Sequence, residues 1–223
     1  TEDDRIRAAA DALLADLEFA EIKTVANTIF PSALAATCAT PETLCERYRA
    51  MYPTLQKLDK GNRFGIYFGR VVAYPGVDGD HDQLAATIAK LRTERASRGP
   101  KSARYEIGIS DPVQTDVHIY VPGVDTSPMG FPCLSFCSLQ LDGDRLHMVA
   151  HYRYQYLVLK GYGNYLGLAQ LLAYIAGQAD LTTGNLTVVT GRAYVDVTKA
   201  RVASLEPLLG ADRAAATVRH PTE

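Results

Sequence analysis

The chain predicts an α/β (α+β) protein that folds as a single domain over residues 1–223, with helices packed on a sheet and one long buried helix. Three observations carry this. Amphipathic helical segments fill the first hundred residues, and strand-like segments cluster after residue 104. The apolar run 164–178 is too long for a strand and is followed by a further strand-like stretch, so helix and sheet alternate there. At 223 residues and 47% hydrophobic, the chain has enough apolar surface for one substantial core.

The elements follow in order. Ile6, Ala9, Ala10, Leu13, Leu14 and Leu17 recur at helical spacing and predict a first helix over 3–17. Thr40-Pro41 is a helix-entry signal, and the segment through Asp59 gives the second. Residues 80–96 have the same amphipathic character. Alternation predicts strands near 104–110, 117–122, 133–141 and 145–158, the last two joined as a hairpin by Asp142-Gly143. The stretch "NYLGLAQLLAYIAGQ" from Asn164 to Gln178 is apolar on nearly every side, as in a helix at the middle of a domain, and 185–196 returns as a strand. The Gly/Pro/Asp-rich segments 74–80 and 122–130 read as long loops.

Composition narrows the function. Positive and negative side chains are mixed to a net charge of −2, and no basic run is long enough to follow a nucleic-acid backbone or an anionic membrane. The charged, amphipathic N-terminal stretch is unlike a secretion signal, and no apolar stretch reaches the ~18 residues of a spanning helix, so the cytoplasm is the expected compartment. Cys38, Cys45, Cys133 and Cys137 lack paired CxxC spacing and read as reduced thiols, and the five histidines form no HExxH-type set, so no metal is expected.

The chemistry centres on Cys133. Alternation places Cys133, Ser135, Cys137 and Leu139 on one face of their strand, and in the partner strand His151, Arg153 and Gln155 on one side with Tyr152, Tyr154 and Tyr156 as an aromatic ladder on the other. An arginine near a thiol lowers its pKa, and the same planar guanidinium suits a phosphate. Against this stands the fact that free cysteine is among the most buried residue types, so Cys133 is either packed core or a nucleophile. Arg153 also reads as a surface ion-pair residue, and Asn164, after Gly161 and Gly163, as a helix N-cap.

Taken together, "FPC" at 131–133, "LDGDRLHMVAHYRYQYLVLKGYGN", "LGLAQLLAYIAGQADLTTGNLTVVTGRAYVD" and the upstream "YFGRVVAYPGVDGDHDQLAATIAKL" resemble the thymidylate synthase family over roughly 66 to 196. The resemblance implies a large mixed sheet flanked by helices and a homodimer packed sheet against sheet. It implies one-carbon transfer from 5,10-methylenetetrahydrofolate to C5 of a pyrimidine nucleotide monophosphate. Its roles fall on Cys133 as nucleophile, Arg153 as phosphate ligand and Asn164 as reader of the base. Arg104 falls where the family's second subunit supplies a phosphate arginine in trans; Ala103 replaces that arginine's companion. The donor and acceptor of an Asn amide match uracil, and the rotated amide matches cytosine.

The departures from the family are specific. Leu134 and Ser138 stand where it has His and Gln, Tyr154 and Tyr156 where it has a serine and a folate-contacting aspartate, and Tyr194 and Asp196 where His and Tyr hold the ribose. Asn27 falls where a glutamate relays protons. There is no tryptophan, and the family's C-terminal folate lid has no counterpart. Tyr67 and Tyr156 are the candidates for a substitute pocket wall. Three functions follow: a nucleotide methylase or hydroxymethylase of nucleoside biosynthesis, a degenerate nucleotide-binding homologue acting as sensor or regulatory subunit, and a structural dimer partner without a pocket.

Overall fold

The computed structural model describes residues 3–60, 62, 65–76, 79–97, 105–109 and 132–203. The expected strand near 117–122, the loop 122–130 and Arg104 lie outside the described residues. Helices α1 (Asp4–Asp16), α2 (Ile22–Ile29), α3 (Ser32–Ala35), α4 (Pro41–Leu58), α5 (Tyr67–Val72) and α6 (Gln83–Ala96) precede the strands β1 (Glu106–Gly108), β2 (Leu134–Asp142) and β3 (Arg145–Tyr156). A π-helical turn, Leu157–Gly161, leads into α7 (Tyr162–Gln178), and β4 (Thr182–Tyr194) and α8 (Lys199–Ala203) follow.

The helix starts have local causes. Asp3 accepts from the backbone N–H groups of Arg5 and Ile6 to cap α1, and Asp82 accepts from Ala85 to cap α6. Thr40 accepts from Thr43 with Pro41 in the first turn of α4, as the sequence predicts.

The described strands form one mixed sheet in the order β1-β2-β3-β4; β3 and β4 run parallel around α7, and the other neighbours are antiparallel. The helices cover one face. Cys137, Leu139, Leu146, Met148, Ala150 and Tyr152 point into a core shared with Leu44, Phe68, Leu84 and Ile88 and with Leu168 to Ile175 of α7. On the other face Phe136 and Val189 are exposed, and the Phe136 ring stacks on His151 at 5.4 Å.

Four expectations change. The two-residue hairpin loop is Gly143-Asp144, because Asp142 pairs with Arg145. Only Gly143 has positive φ, at 59°, the pattern of a type II′ turn with glycine first. In β2 an extra residue is inserted between Leu134, paired with Tyr152, and Phe136, paired with His151. That bulge puts Leu134 in the core with Cys137 and Leu139, so the strand's alternation does not carry through to Cys133. Tyr152 is fully buried, which leaves Tyr154 and Tyr156, not a three-tyrosine ladder, beyond the core. Finally, α7 is not buried all round. It buries pairs at 163/164, 167/168, 171/172 and 175/176 and exposes Ala169, Ala173 and Gly177.

The close packing of α7 explains its glycines. A Cβ on Gly163 would sit 2.5 Å from that of Val25, and one on Gly167 2.6 Å from the Ala26 carbonyl oxygen, so α2 lies directly on the α7 backbone. Asp11 of α1 fixes the start of α2 by accepting from Ile22 N–H at 2.8 Å.

Candidate functional site

Cys133 lies half-buried where the chain enters β2, between Pro132 and the bulge. Its carbonyl accepts from Arg153 N–H at 2.8 Å, tying it to β3, and the Arg153 guanidinium donates to the Pro132 carbonyl. Tyr67, the first residue of α5, brings its hydroxyl to the Cys133 sulfur and to the backbone of Leu134 and Cys133. Lys160, from the π-helical turn, is the second cation acting on the sulfur.

The balance of these effects corrects the expectation of an acidified thiol. Burial pushes the Cys133 thiol above its usual range; Arg153, then Lys160 and the Tyr67 hydroxyl, pull it back without overcoming burial. Burial likewise raises the Tyr67 hydroxyl and lowers the Lys160 ammonium, with the charges of Asp59 and Cys133 opposing the latter. Cys137 is inert by comparison: fully buried, its thiol is pushed up to about 12. All four cysteines are free.

A cavity of about 490 Å³ opens between α2, α4 and the π-helical turn. Asn27, Thr28, Met51, Asp59, Asn62 and Lys160 are among its lining residues. Asn27 thus stands on the wall of a cavity that does not contain Cys133. Cys133, Arg153 and Asn164 do not line the cavity; Lys160 alone belongs both to its wall and to the surroundings of the sulfur.

Asn164 is not an N-cap. The π-helical turn extends the helix before it, and its buried side chain approaches Gln155 Oε1 at 3.5 Å, while Gln155 Nε2 donates to the Tyr156 carbonyl. Its amide is therefore turned toward Gln155. Asp196 is also engaged: its carboxylate accepts from the N–H groups of Val158 and Leu159 at 2.9 and 3.2 Å, capping the π-helical turn. Tyr154, Tyr156 and Tyr194 cluster at the sheet end with ring centroids 5.0 to 6.2 Å apart, and the Arg192 guanidinium lies over Tyr154. Tyr156 and Tyr194 are thus neighbours of each other and outside the cavity lining.

The structure brings Tyr67 and Arg153 to Cys133, sets Asn27 on the cavity, and holds Asn164 behind Gln155. Sequence reasoning missed Lys160 because 145–158 reads as one strand and hides the π-helical turn. The signal was a lone charged residue, Lys160, within the otherwise uncharged 157–172. Chemically, the arrangement sets a thiol that burial keeps high beside a phenol, with a guanidinium on the neighbouring strand whose planar fork matches an anion.

Among the described residues no cluster of three His, Cys, Asp or Glu is placed to hold a metal ion, and no helix is long and apolar enough to cross a membrane. The chain matches no protein-family model and none of the curated proteins. What the fold and site define is a mixed α/β protein with a half-buried cysteine tied to Arg153 of the neighbouring strand, and a separate small-molecule-sized cavity between α2, α4 and the π-helical turn.

Proposed function

We propose that the protein transfers one carbon to C5 of a pyrimidine nucleotide monophosphate through a covalent Cys133 adduct, as the thymidylate synthase resemblance implies. The observation that carries this is the meeting of Arg153 and the Tyr67 hydroxyl with the one cysteine that the resemblance marks. The Cys133 thiolate adds to C6, and the C5=C6 electron pair moves toward O4. C5 then attacks the methylene of methylenetetrahydrofolate; loss of the C5 proton and departure of the folate leave an exocyclic methylene. With no tryptophan in the chain to shield that intermediate, water adds to the methylene, the electron pair returning from O4 expels the Cys133 thiolate from C6 as the C5=C6 bond re-forms, and the 5-hydroxymethyl nucleotide leaves, tetrahydrofolate having departed in the previous step. The cavity beside Lys160 is large enough to receive part of the donor. The exposed sheet face around Phe136 and Val189 supports a homodimer packed through the sheet.

A second reading, a nucleotide-binding homologue acting as sensor or regulatory subunit, is favoured by the burial that keeps the Cys133 thiol high and by the Asn164 amide turned to Gln155. Mass spectrometry separates the two readings. The protein is incubated with UMP, dUMP, CMP or dCMP, with and without methylenetetrahydrofolate. An adduct on Cys133 with a 5-hydroxymethyl product, both lost in Cys133→Ser, is the expected result. Phosphate-dependent binding without adduct or product establishes the sensor.

A further inference from the structure

We infer that the cavity between α2, α4 and the π-helical turn binds a small apolar monocarboxylate, its charged end on the Lys160 ammonium and its hydrocarbon body along the side chains of Val25, Leu34, Met51 and Leu55. The inference goes beyond the Cys133 reading and does not rest on it, because Cys133 is not among the lining residues. The cavity measures about 490 Å³, within the ~300–1,000 Å³ of small-molecule sites, and its walls are mostly apolar. Apolar walls alone name no ligand; the polar groups set into these do.

Lys160 is the only lysine or arginine among the described residues that line the cavity. It is half-buried, its Nζ stands 4.9 Å from the centre of the Phe19 ring, and among the described residues it forms no ion pair. A ring face attracts an ammonium yet supplies no oxygen for its three N–H donors, which a ligand carboxylate does. Burial holds this ammonium below its usual range, as befits a cation short of an anion. Asp59 shares the wall, and its negative charge bears on Lys160 without an ion pair between them. A second negative charge on the ligand would meet that carboxylate, so a single charge fits and a phosphate monoester, at about −1.5 to −2, does not.

Two uncharged polar side chains point the same way. Tyr48, only 2% exposed, and Asn27, half-buried, line the cavity, and neither side chain has a hydrogen-bond partner among the described residues. Buried polar groups are normally satisfied, so this hydroxyl and this amide are left for a ligand. By contrast, Thr28 and Asn62 on the same walls are engaged, donating to the carbonyls of Val25 and Leu55 at 2.7 and 2.9 Å. The folate donor, whose tail is a dicarboxylate, is the competing occupant.

Isothermal titration of the full chain with octanoate and with octan-1-ol tests this. Octanoate should bind at one site, and octan-1-ol about tenfold more weakly, because it lacks the charge that meets Lys160. Lys160→Met should weaken octanoate about tenfold and leave octan-1-ol within about twofold, whereas Lys160→Arg should keep octanoate within about threefold, because the charge is retained. Met51 is 45% exposed, so the fold tolerates Met51→Trp, which narrows the cavity and should weaken both ligands. No octanoate binding up to about 1 mM, octanoate binding unchanged in Lys160→Met, or equal losses of both ligands in that variant overturns the inference. Methylenetetrahydrofolate that displaces octanoate assigns the cavity to the donor and overturns it too. Should Lys160→Met not fold, as circular dichroism would show, octanoate binding unchanged in Met51→Trp overturns it instead. Cys133→Ser should leave octanoate binding as in wild type while abolishing any nucleotide adduct, so failure of the cavity inference and failure of the Cys133 reading are distinguishable.

Discussion

The two ends of the β2–β3 hairpin are built on different terms. At the turn end Asp142 pairs with Arg145 across Gly143-Asp144, the core residues Leu139, Leu146 and Met148 alternate with half-buried or exposed ones, and β2 and β3 stay in step, the one shift there lying between β3 and β4 at Leu146/Met148. At the other end, within a few residues, lie the bulge at Ser135, the buried Gln155, the π-helical turn and a half-buried lysine. Bulges and π-helical turns lose backbone hydrogen bonds or distort their geometry, and they persist where they aim side chains that a regular ladder would leave pointing elsewhere. Here the bulge lies beside Cys133 and its partner Arg153, and the π-helical turn carries Lys160 to the cavity wall. The even end of the hairpin thus carries the ladder, and the irregular end carries the candidate site.

The largest expected effect separates the two ends by ligand. Arg153→Ala should weaken binding of a pyrimidine nucleoside monophosphate by about 1.5–3 kcal/mol, the range of a hydrogen bond to a charged group and not of a buried pair because Arg153 is exposed, while leaving nucleoside binding nearly unchanged, because the lost contact is to phosphate. Isothermal titration with UMP and uridine reads this directly, and equal losses for both ligands break the assignment of Arg153 to phosphate.

The same contrast marks what was legible in the sequence. The helices at 4–16, 41–58 and 83–96 and the hairpin are written in period and cap, because Asp3, Thr40 and Asp82 act on their own chain within three residues. Of the candidate site, the nearness of Arg153 to Cys133 was legible in the hairpin, and Arg153 N–H donates to the Cys133 carbonyl; Tyr67 was expected only as a pocket wall, and its hydroxyl bears on the Cys133 sulfur instead. The bulge was not, because an inserted residue in "CLSFC" leaves a pattern that fits either alternation, and only pairing with β3 decides that Leu134 goes inward. The surroundings of Asn164 were not legible either. A glycine on each side of Tyr162 reads as a helix start, yet tertiary packing of α2 against Gly163 and Gly167 carries the helix on through it.

A middle-sized effect probes how firmly the irregular end is held. Asp196 satisfies two N–H groups at the start of the π-helical turn, where the residues are half-buried. Asp196→Ala should cost about 1–3 kcal/mol of stability in urea unfolding, as expected when partly buried donors lose their acceptor. It should also speed hydrogen exchange at Val158 and Leu159. If exchange there is unchanged, the turn is held by packing alone, and Asp196 is free for the ribose contact that the resemblance implies.

The smallest effect belongs to the regular end. Gly143 has φ of 59°, and a Cβ there would meet nothing within 4 Å, so the penalty for Gly143→Ala comes from backbone strain and not from a clash. That strain should lower stability by about 1 kcal/mol, partly offset by the reduced freedom of the unfolded chain. The turn lies at the far end of the hairpin from Cys133, and the intervening pairs from Phe136 with His151 to Leu141 with Leu146 continue without interruption. The rate of Cys133 alkylation by iodoacetamide should therefore be the same in Gly143→Ala as in wild type, even though the unfolding midpoint falls. A changed rate would mean that the strain travels the length of the ladder to the bulge, and the division between a structural end and a chemical end would no longer hold.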